Sequence, residues 1–344
     1  PKRLWSELGP GEAVRVVECD DEQAEARFVV GRIAEAMDGG HAAADAAVLY
    51  RANHQSRAVE EALRRQGIDY QVIGGLRFYD RAEIKDAVAY LRVLANPADG
   101  VALRRIVNVP RRGLGDTSVS RLLAHAEATG TTLRAALGEA ESVLPGAAAR
   151  RAALDLDRLL AELEALVDET PVADLLEAVL ARTGYREGLR AERTVESEGK
   201  LENLEELLGV ARLHDITSAE ERDVDEGEVL PGLAGFLQEL SLVSDTDEDR
   251  SGERSLVTLM SLHAAKGLEY PLVFIVGMED GLFPHQRALE EGNLEEERRI
   301  CYVGMTRARE RLTLTYARSR TVFGGIQRNA PSLFLAEIPR EAVE

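Results

Sequence analysis

Cysteine is scarce in this chain of 344 residues: there are two, Cys19 and Cys301, far apart and without CxxC spacing. That argues against a zinc ribbon or a disulfide framework and fits a reducing compartment, so a cytoplasmic location is expected. Long apolar runs are also missing. No stretch approaches the roughly 18 uninterrupted apolar residues of a membrane helix, no signal peptide opens the sequence as given, and no membrane partner is expected. A phosphate loop is absent too. The motif GxxxxGK[ST] would announce one, but the only Gly-Lys pair, Gly199-Lys200, is followed by Leu201 and lacks the upstream glycine. Gly113-Leu114-Gly115 begins like a dinucleotide fingerprint, yet Ser118 holds the third glycine position and no strand immediately precedes it. No Ser/His/Asp set stands out, and the carboxylates show no spacing that selects an acid–base pair.

What is present describes an ordinary globular chain, with 45% hydrophobic and 30% charged residues. Its length suggests two domains at roughly 100–200 residues each. The net charge of −19 argues against nucleic acid when taken globally. Its distribution points the other way. Asp215–Arg254 holds 13 acidic and 3 basic residues, whereas Arg298–Arg328 holds 8 arginines and one glutamate. Arg104–Arg121 adds five arginines against one aspartate. Two basic tracts on an acidic protein predict a local phosphate-binding surface. The sequence opens at Pro1 and is expected to be a piece of a longer protein.

Periodicity divides the chain in three. Strands are predicted at Ala13–Glu18, Ala46–Tyr50 and Tyr70–Ile73, alternating with helices at Glu22–Met37, Gln55–Gln66 and Ala82–Ala95, a pattern of parallel βαβ units. From about Pro145-Gly146 the chain becomes rich in Ala, Leu, Glu and Arg. Helical stripes run through Leu156, Leu159, Leu160, Leu163 and Val167, and through Leu201, Leu204, Leu207, Leu208 and Ala211. The acidic tract Ser244–Glu253 reads as a linker. Strands then return at Ser255–Leu262, Leu272–Val276 and Leu312–Tyr316, with a helix at Glu295–Arg307. Val273–Val276 before Glu279-Asp280 looks like a Walker B strand, but without a phosphate loop it reads as a buried strand ending in a turn. The expectation is an α/β domain interrupted by an inserted all-α domain.

Three long segments carry a more specific signal. AVLYRANHQSRAVEEALRRQGIDYQVIGGLRFYDRAEIKD (Ala47–Asp86), VTLMSLHAAKGLEYPLVFIVGMEDGLFP (Val257–Pro284) and EEERRICYVGMTRARERLTLTYA (Glu295–Ala317) resemble motifs IV/IVa, V and VI of UvrD/PcrA/Rep-type superfamily 1A DNA helicases. The resemblance runs in order along essentially the whole chain. It implies a RecA-like parallel-sheet domain, 2A, at 1–145 and 249–344, with the helical domain 2B inserted at 146–248. It also implies the C-terminal half of an ATP-dependent 3′–5′ helicase of DNA repair or replication. The phosphate loop and the Mg²⁺ site would belong to the N-terminal 1A/1B half, so this chain alone is expected to have no appreciable ATPase.

Site residues follow from the same resemblance. It implies that Tyr50 stacks on adenine, that Arg51 and Arg307 reach the γ-phosphate, that Glu269 contacts the ribose, and that Lys266 approaches phosphates or DNA. The implied partners are single-stranded DNA and single-strand/duplex junctions, with possible repair or replication proteins. For DNA it points to His263, Thr258, the aromatic Phe323 as a separation pin, and the Arg112-Gly113-Leu114-Gly115 turn. Thr183-Gly184-Tyr185 reads either as a further contact or as a helix cap and turn. The rival reading is a stand-alone DNA-junction or protein-binding module without turnover.

Overall fold

A computed structural model of the chain describes residues 11–224, 232–245, 255–322 and 325–344. The chain divides into two compact units, Pro1–Phe78 with Ser251–Glu344, and Tyr79–Arg250. Among the described residues no helix is long and apolar enough to cross a membrane.

The first unit is built on β1 (Arg15–Cys19), β2 (Ala46–Tyr50), β3 (Tyr70–Ile73), β4 (Val257–Ser261), β5 (Tyr270–Ile275) and β6 (Ala308–Ala317). They form one parallel sheet in the order β1-β6-β5-β2-β4-β3. Strands from the two ends of the chain are therefore interleaved, with β6 and β5 side by side. β2 lies between β5 and β4, with Ala46 opposite Leu272 and Ala47 opposite Thr258. Neither segment can form the sheet alone, which is the interrupted α/β architecture expected from the pattern. The five residues of β2 are all buried, as a parallel strand covered on both faces requires.

Two apolar layers cover the sheet. On one face, helices α1 (Glu22–Asp38) and α2 (Ser56–Arg65) bury Val29, Val30, Ile33, Val59 and Leu63 against Val48 and Leu259. Asp21 starts α1 by accepting the Ala24 N–H at 2.7 Å, a cap worth about 1 kcal/mol. On the other face the core joins Ala47, Leu49, Met260 and Ile275 to Ile300 and Cys301 of the helix Leu294–Met305.

The second unit is helical throughout its described residues. It runs from Ala82–Ala95 and Gly100–Ile106 through Asp116–Thr129, Ala147–Glu164, Val172–Arg182 and Tyr185–Glu192 to the long helix Val195–Val224 and Leu233–Asp245. The compact division falls at Phe78/Tyr79, well before the expected boundary at 145. The reason lies in helix Ala82–Ala95, whose buried acids find partners on later helices. Asn203 donates to Glu83 at 2.6 Å and accepts from Arg81 at 2.6 Å, while Tyr185 donates to Asp86 at 2.9 Å. Buried carboxylates must be hydrogen-bonded, so these contacts commit the helix to the helical unit. Apolar periodicity says that a helix is amphipathic, not which body it faces.

Candidate functional site

Strand alternation decides what the end of β2 can offer. Ala46, Val48 and Tyr50 point into the layer under α1 and α2, and Ala47 and Leu49 into the opposite layer. Tyr50 is therefore a core residue, 1% exposed, with no ring face free for a base. The stacking role implied for it does not fit this placement. Arg51, one residue on, returns to the opposite face. The chain turns sharply there because the buried Gln55 carboxamide accepts both the Arg51 N–H at 3.0 Å and the Ala52 N–H at 2.7 Å.

The Arg51 guanidinium lies side-on to Glu297 in the first turn of the helix Leu294–Met305, which we label α3 for this unit. Its Nε donates to both carboxylate oxygens at 3.1 and 3.0 Å, and its Nη2 donates to one of them at 2.8 Å. The Glu297 side chain is 4% exposed and also accepts the His285 backbone N–H at 3.1 Å. Burial works to raise its pKa, but the Arg51 hydrogen bonds and charge and the His285 N–H together hold it below the ordinary carboxyl value. Nearby, exposed His263 follows β4. Its imidazole is pushed below its usual value by partial desolvation and then by the Arg51 charge, against opposing pulls from Glu297 and Glu296. The neutral form is favoured. Glu297 had no individual role in the sequence reading, because its partner is 246 positions away and no local spacing reveals the pair.

Arg307 sits just beyond the other end of α3. Its guanidinium donates to three neutral oxygens: Val303 O at 2.9 Å, Leu268 O at 3.1 Å and Thr306 Oγ1 at 3.0 Å. Among the described residues it meets no carboxylate. At 1.5 Å per residue the helix is about 18 Å long, so Arg51 and Arg307 are anchored at opposite ends of one rod and are not brought together in this structure. The rod is pressed closely onto the sheet. A Cβ on Gly304 would fall 2.3 Å from Leu262 Cδ2 and 3.1 Å from Ile275 Cδ1. The connection from β4 to β5 carries the remaining candidates. Lys266 is exposed with no ion pair among the described residues, and Glu269 is paired with Arg309 at 3.4 Å.

The DNA candidates fare unevenly. Thr258 is 2% exposed in the middle of the sheet and accepts from Gln71 at 3.3 Å, so it cannot touch a phosphate as placed. Phe323 lies outside the described residues. The tract Arg298–Arg328 is not the open basic surface that its composition suggested. Six of its eight arginines face carboxylates, among them Arg309–Glu269, Arg311–Glu12 and Arg318–Glu18. One of these is fully internal. Arg320 bridges Glu25 at 2.6 Å and Glu279 at 2.7 Å, with side chains 8%, 4% and 1% exposed. Glu279, the acidic residue after β5, is thus a buried structural anion. Apart from Arg307, only Arg328 in this tract lacks a carboxylate partner among the described residues.

In the helical unit, Arg112 turns inward. It donates to Ile106 O at 2.8 Å, to Val107 O at 3.3 Å and to the Tyr90 hydroxyl at 2.7 Å, closing the end of helix Gly100–Ile106. Its side chain is a clamp for the loop rather than a free phosphate ligand. The loop is also pinned by Asn108, whose carboxamide accepts the Arg112 and Leu114 N–H groups at 2.9 and 3.2 Å. Gly113 has φ +88 with open space around it, and Gly115 precedes helix Asp116–Thr129 as its cap. Around this turn Arg104, Arg111 and Arg121 are exposed and carry no partner among the described residues. Thr183-Gly184-Tyr185 is a cap and turn. Thr183 closes one helix, Gly184 has φ +73, and Tyr185 is buried with its hydroxyl on Asp86.

The donors available suit an anion. Arg307 is charged, oriented and uncompensated, as a phosphate contact requires. Among the described residues no cluster of three or more His, Cys, Asp or Glu could hold a metal ion.

Comparison with known proteins identifies the family. Residues 2–144 and 157–319 match the UvrD-like helicase C-terminal domain. The chain is 41% identical over 351 residues to ATP-dependent DNA helicase PcrA of Bacillus subtilis (strain 168), covering 100% of this chain and 46% of that protein. It is 45% identical over 354 residues to ATP-dependent DNA helicase UvrD1 of Mycobacterium tuberculosis (strain ATCC 25618 / H37Rv), again covering 100% and 46%. The chain spans about half the length of the curated relatives it matches.

Proposed function

The chain belongs to the UvrD-like helicase C-terminal family, and from that footing we propose that it is the 2A/2B motor half of a cytoplasmic, ATP-dependent 3′–5′ DNA helicase serving DNA repair or replication. The sheet belongs to 2A, at 1–145 and 249–344, and 2B is the helical insertion at 146–248. Its partner is the N-terminal 1A/1B half, which supplies the phosphate loop and the Mg²⁺ site. Bound ATP with Mg²⁺ supplies the phosphoryl group whose transfer to water drives the motor. What this chain contributes is charge and position.

The observation that carries the reading is the state of Arg307. A guanidinium surrounded by carbonyl and hydroxyl oxygens keeps its full positive charge and needs no reorganisation when negative charge develops beside it. Its sequence neighbours in the same tract are neutralised by carboxylates. Arg51 is the second phosphate-facing arginine, held by Glu297. Lys266 and Glu269 lie on the β4–β5 connection, whose Leu268 carbonyl accepts from Arg307; Lys266 contacts the phosphates or DNA, and Glu269 the ribose. His263, beyond β4, links this surface to single-stranded DNA. Junction duplex is met by the helical unit through Arg104, Arg111 and Arg121 and the glycine turn at Gly113–Gly115, where backbone N–H groups can approach phosphates.

The test is Arg307→Ala in the protein carrying both halves. A lost arginine finger costs about 10³-fold in turnover or more, with ATP binding largely retained. Unchanged turnover would refute the assignment.

A further inference from the structure

Resting on the reading of Arg51 as a phosphate-facing arginine, we propose that Glu297 is the positioning residue for that arginine, gripping its inner edge so that its outer edge is presented to an anion. The geometry distinguishes a grip from a competitor. A guanidinium has five N–H groups, and a carboxylate can meet it side-on, through Nε and one Nη, or end-on, through both Nη atoms. Glu297 takes the side-on edge through Nε and Nη2. Nη1 has no hydrogen-bond partner among the described residues, and the Arg51 side chain is 22% exposed. The end-on fork is therefore open. A phosphate can take it while Glu297 keeps its hold.

Glu297 is itself fixed in a way that a casual surface partner is not. Its side chain is 4% exposed, it lies in the first turn of α3, and it accepts the His285 N–H at 3.1 Å. The close seating of the same helix at Gly304 fixes the rod, so the position of Arg51 is set by the sheet through α3. Arg51 needs this support because its own backbone leaves the sheet at a turn, held by Gln55. A long side chain on such a turn samples many rotamers, and freezing them beforehand lowers the cost of engaging a ligand. Arg307 receives the equivalent support from neutral oxygens. One helix therefore orients one arginine at each end.

Two experiments test the grip. In the protein carrying both halves, ATP turnover is measured for Arg51→Ala, Glu297→Gln and the double variant. Gln cannot offer two acceptor oxygens, so Glu297→Gln is expected to lower kcat about 10- to 100-fold through misplacement of Arg51, with a smaller effect on KM. In the Arg51→Ala background it should do nothing further. Glu297→Asp, which keeps the buried charge but withdraws it by one methylene, should lose part of kcat and serves if Gln fails to fold. In the present chain without nucleotide, the Arg51 Nε–H should give a slowly exchanging NMR signal that vanishes in Glu297→Gln. Unchanged turnover in Arg51→Ala sinks the underlying assignment of Arg51. Loss in Arg51→Ala with none in Glu297→Gln or Glu297→Asp, or equal loss from Glu297→Gln in both backgrounds, overturns the grip alone.

Discussion

Replacing Arg320 with Met should destabilise the sheet unit more than any surface charge change. Arg320 is held between Glu25 and Glu279, and Glu25 also accepts the Gly277 N–H at 2.9 Å and the Thr315 hydroxyl at 2.7 Å. Glu279 accepts the Ala317 N–H at 2.9 Å and the Asn329 amide at 3.4 Å. Burial opposes the Arg320 charge, but the two carboxylates overcome it and hold its pKa above the usual value. Removing the cation leaves two carboxylates buried beside each other with only neutral donors. Breaking a buried pair by removing one partner costs about 3–5 kcal/mol, and two stranded anions place this case near the upper end. With a urea dependence of about 2 kcal/mol per molar, the unfolding midpoint of this unit should fall by about 2 M. Amide exchange at Gly277 and Ala317, followed by NMR during the titration, assigns the loss to this unit. The triple replacement Glu25→Met, Glu279→Met, Arg320→Met should recover most of it, because an apolar substitute for a buried ionic network is often neutral. A midpoint shift below about 0.5 M for Arg320→Met alone would refute the reasoning.

Three further outcomes are expected. Gly304→Ala should cost about 1–3 kcal/mol by forcing α3 off Leu262 and Ile275, read as a lower thermal midpoint. Because Glu297 titrates below its unfolded value of 4.5, its contribution is complete above that pH and is lost as pH falls through the folded-state value; midpoints measured from pH 6 downward should therefore fall less steeply in Glu297→Gln than in the parent. Arg104→Ala, Arg111→Ala and Arg121→Ala should each weaken duplex binding irrespective of base sequence and flatten its salt dependence by about one counterion. Arg311→Ala, whose charge is already paired with Glu12, should barely change it.

How far the sequence predicts this structure depends on whether the decisive contact is local. Ala46–Tyr50 and Tyr70–Ile73 appear as strands at the residues the pattern indicates; for Ala46–Tyr50 the reason is that a doubly covered parallel strand leaves an apolar run in the sequence. The predicted helix Glu295–Arg307 stops at Met305 in the structure, which leaves Arg307 outside it with its guanidinium on Leu268 O. Tyr50 illustrates the converse. Its burial follows from period-two alternation once the sheet has helices on both faces, a fact about tertiary cover that the five-residue strand cannot state. Basic composition likewise overstated the tract at 298–328, since Arg299 and Arg309 are answered by nearby Glu296 and Glu269, and Arg311 and Arg318 by Glu12 and Glu18 some 300 positions earlier. The division at Phe78/Tyr79 is likewise not local: Glu83 meets Asn203 and Asp86 meets Tyr185, 120 and 99 positions downstream.

ATP turnover by this chain, alone and then joined to the half that carries the phosphate loop, tests the central claim most directly. The account predicts no turnover from the chain alone, DNA-stimulated turnover when the halves are joined, and loss of about 10³-fold or more in the joined protein carrying Arg307→Ala. Turnover by the isolated chain, or full activity without the Arg307 guanidinium, would contradict it.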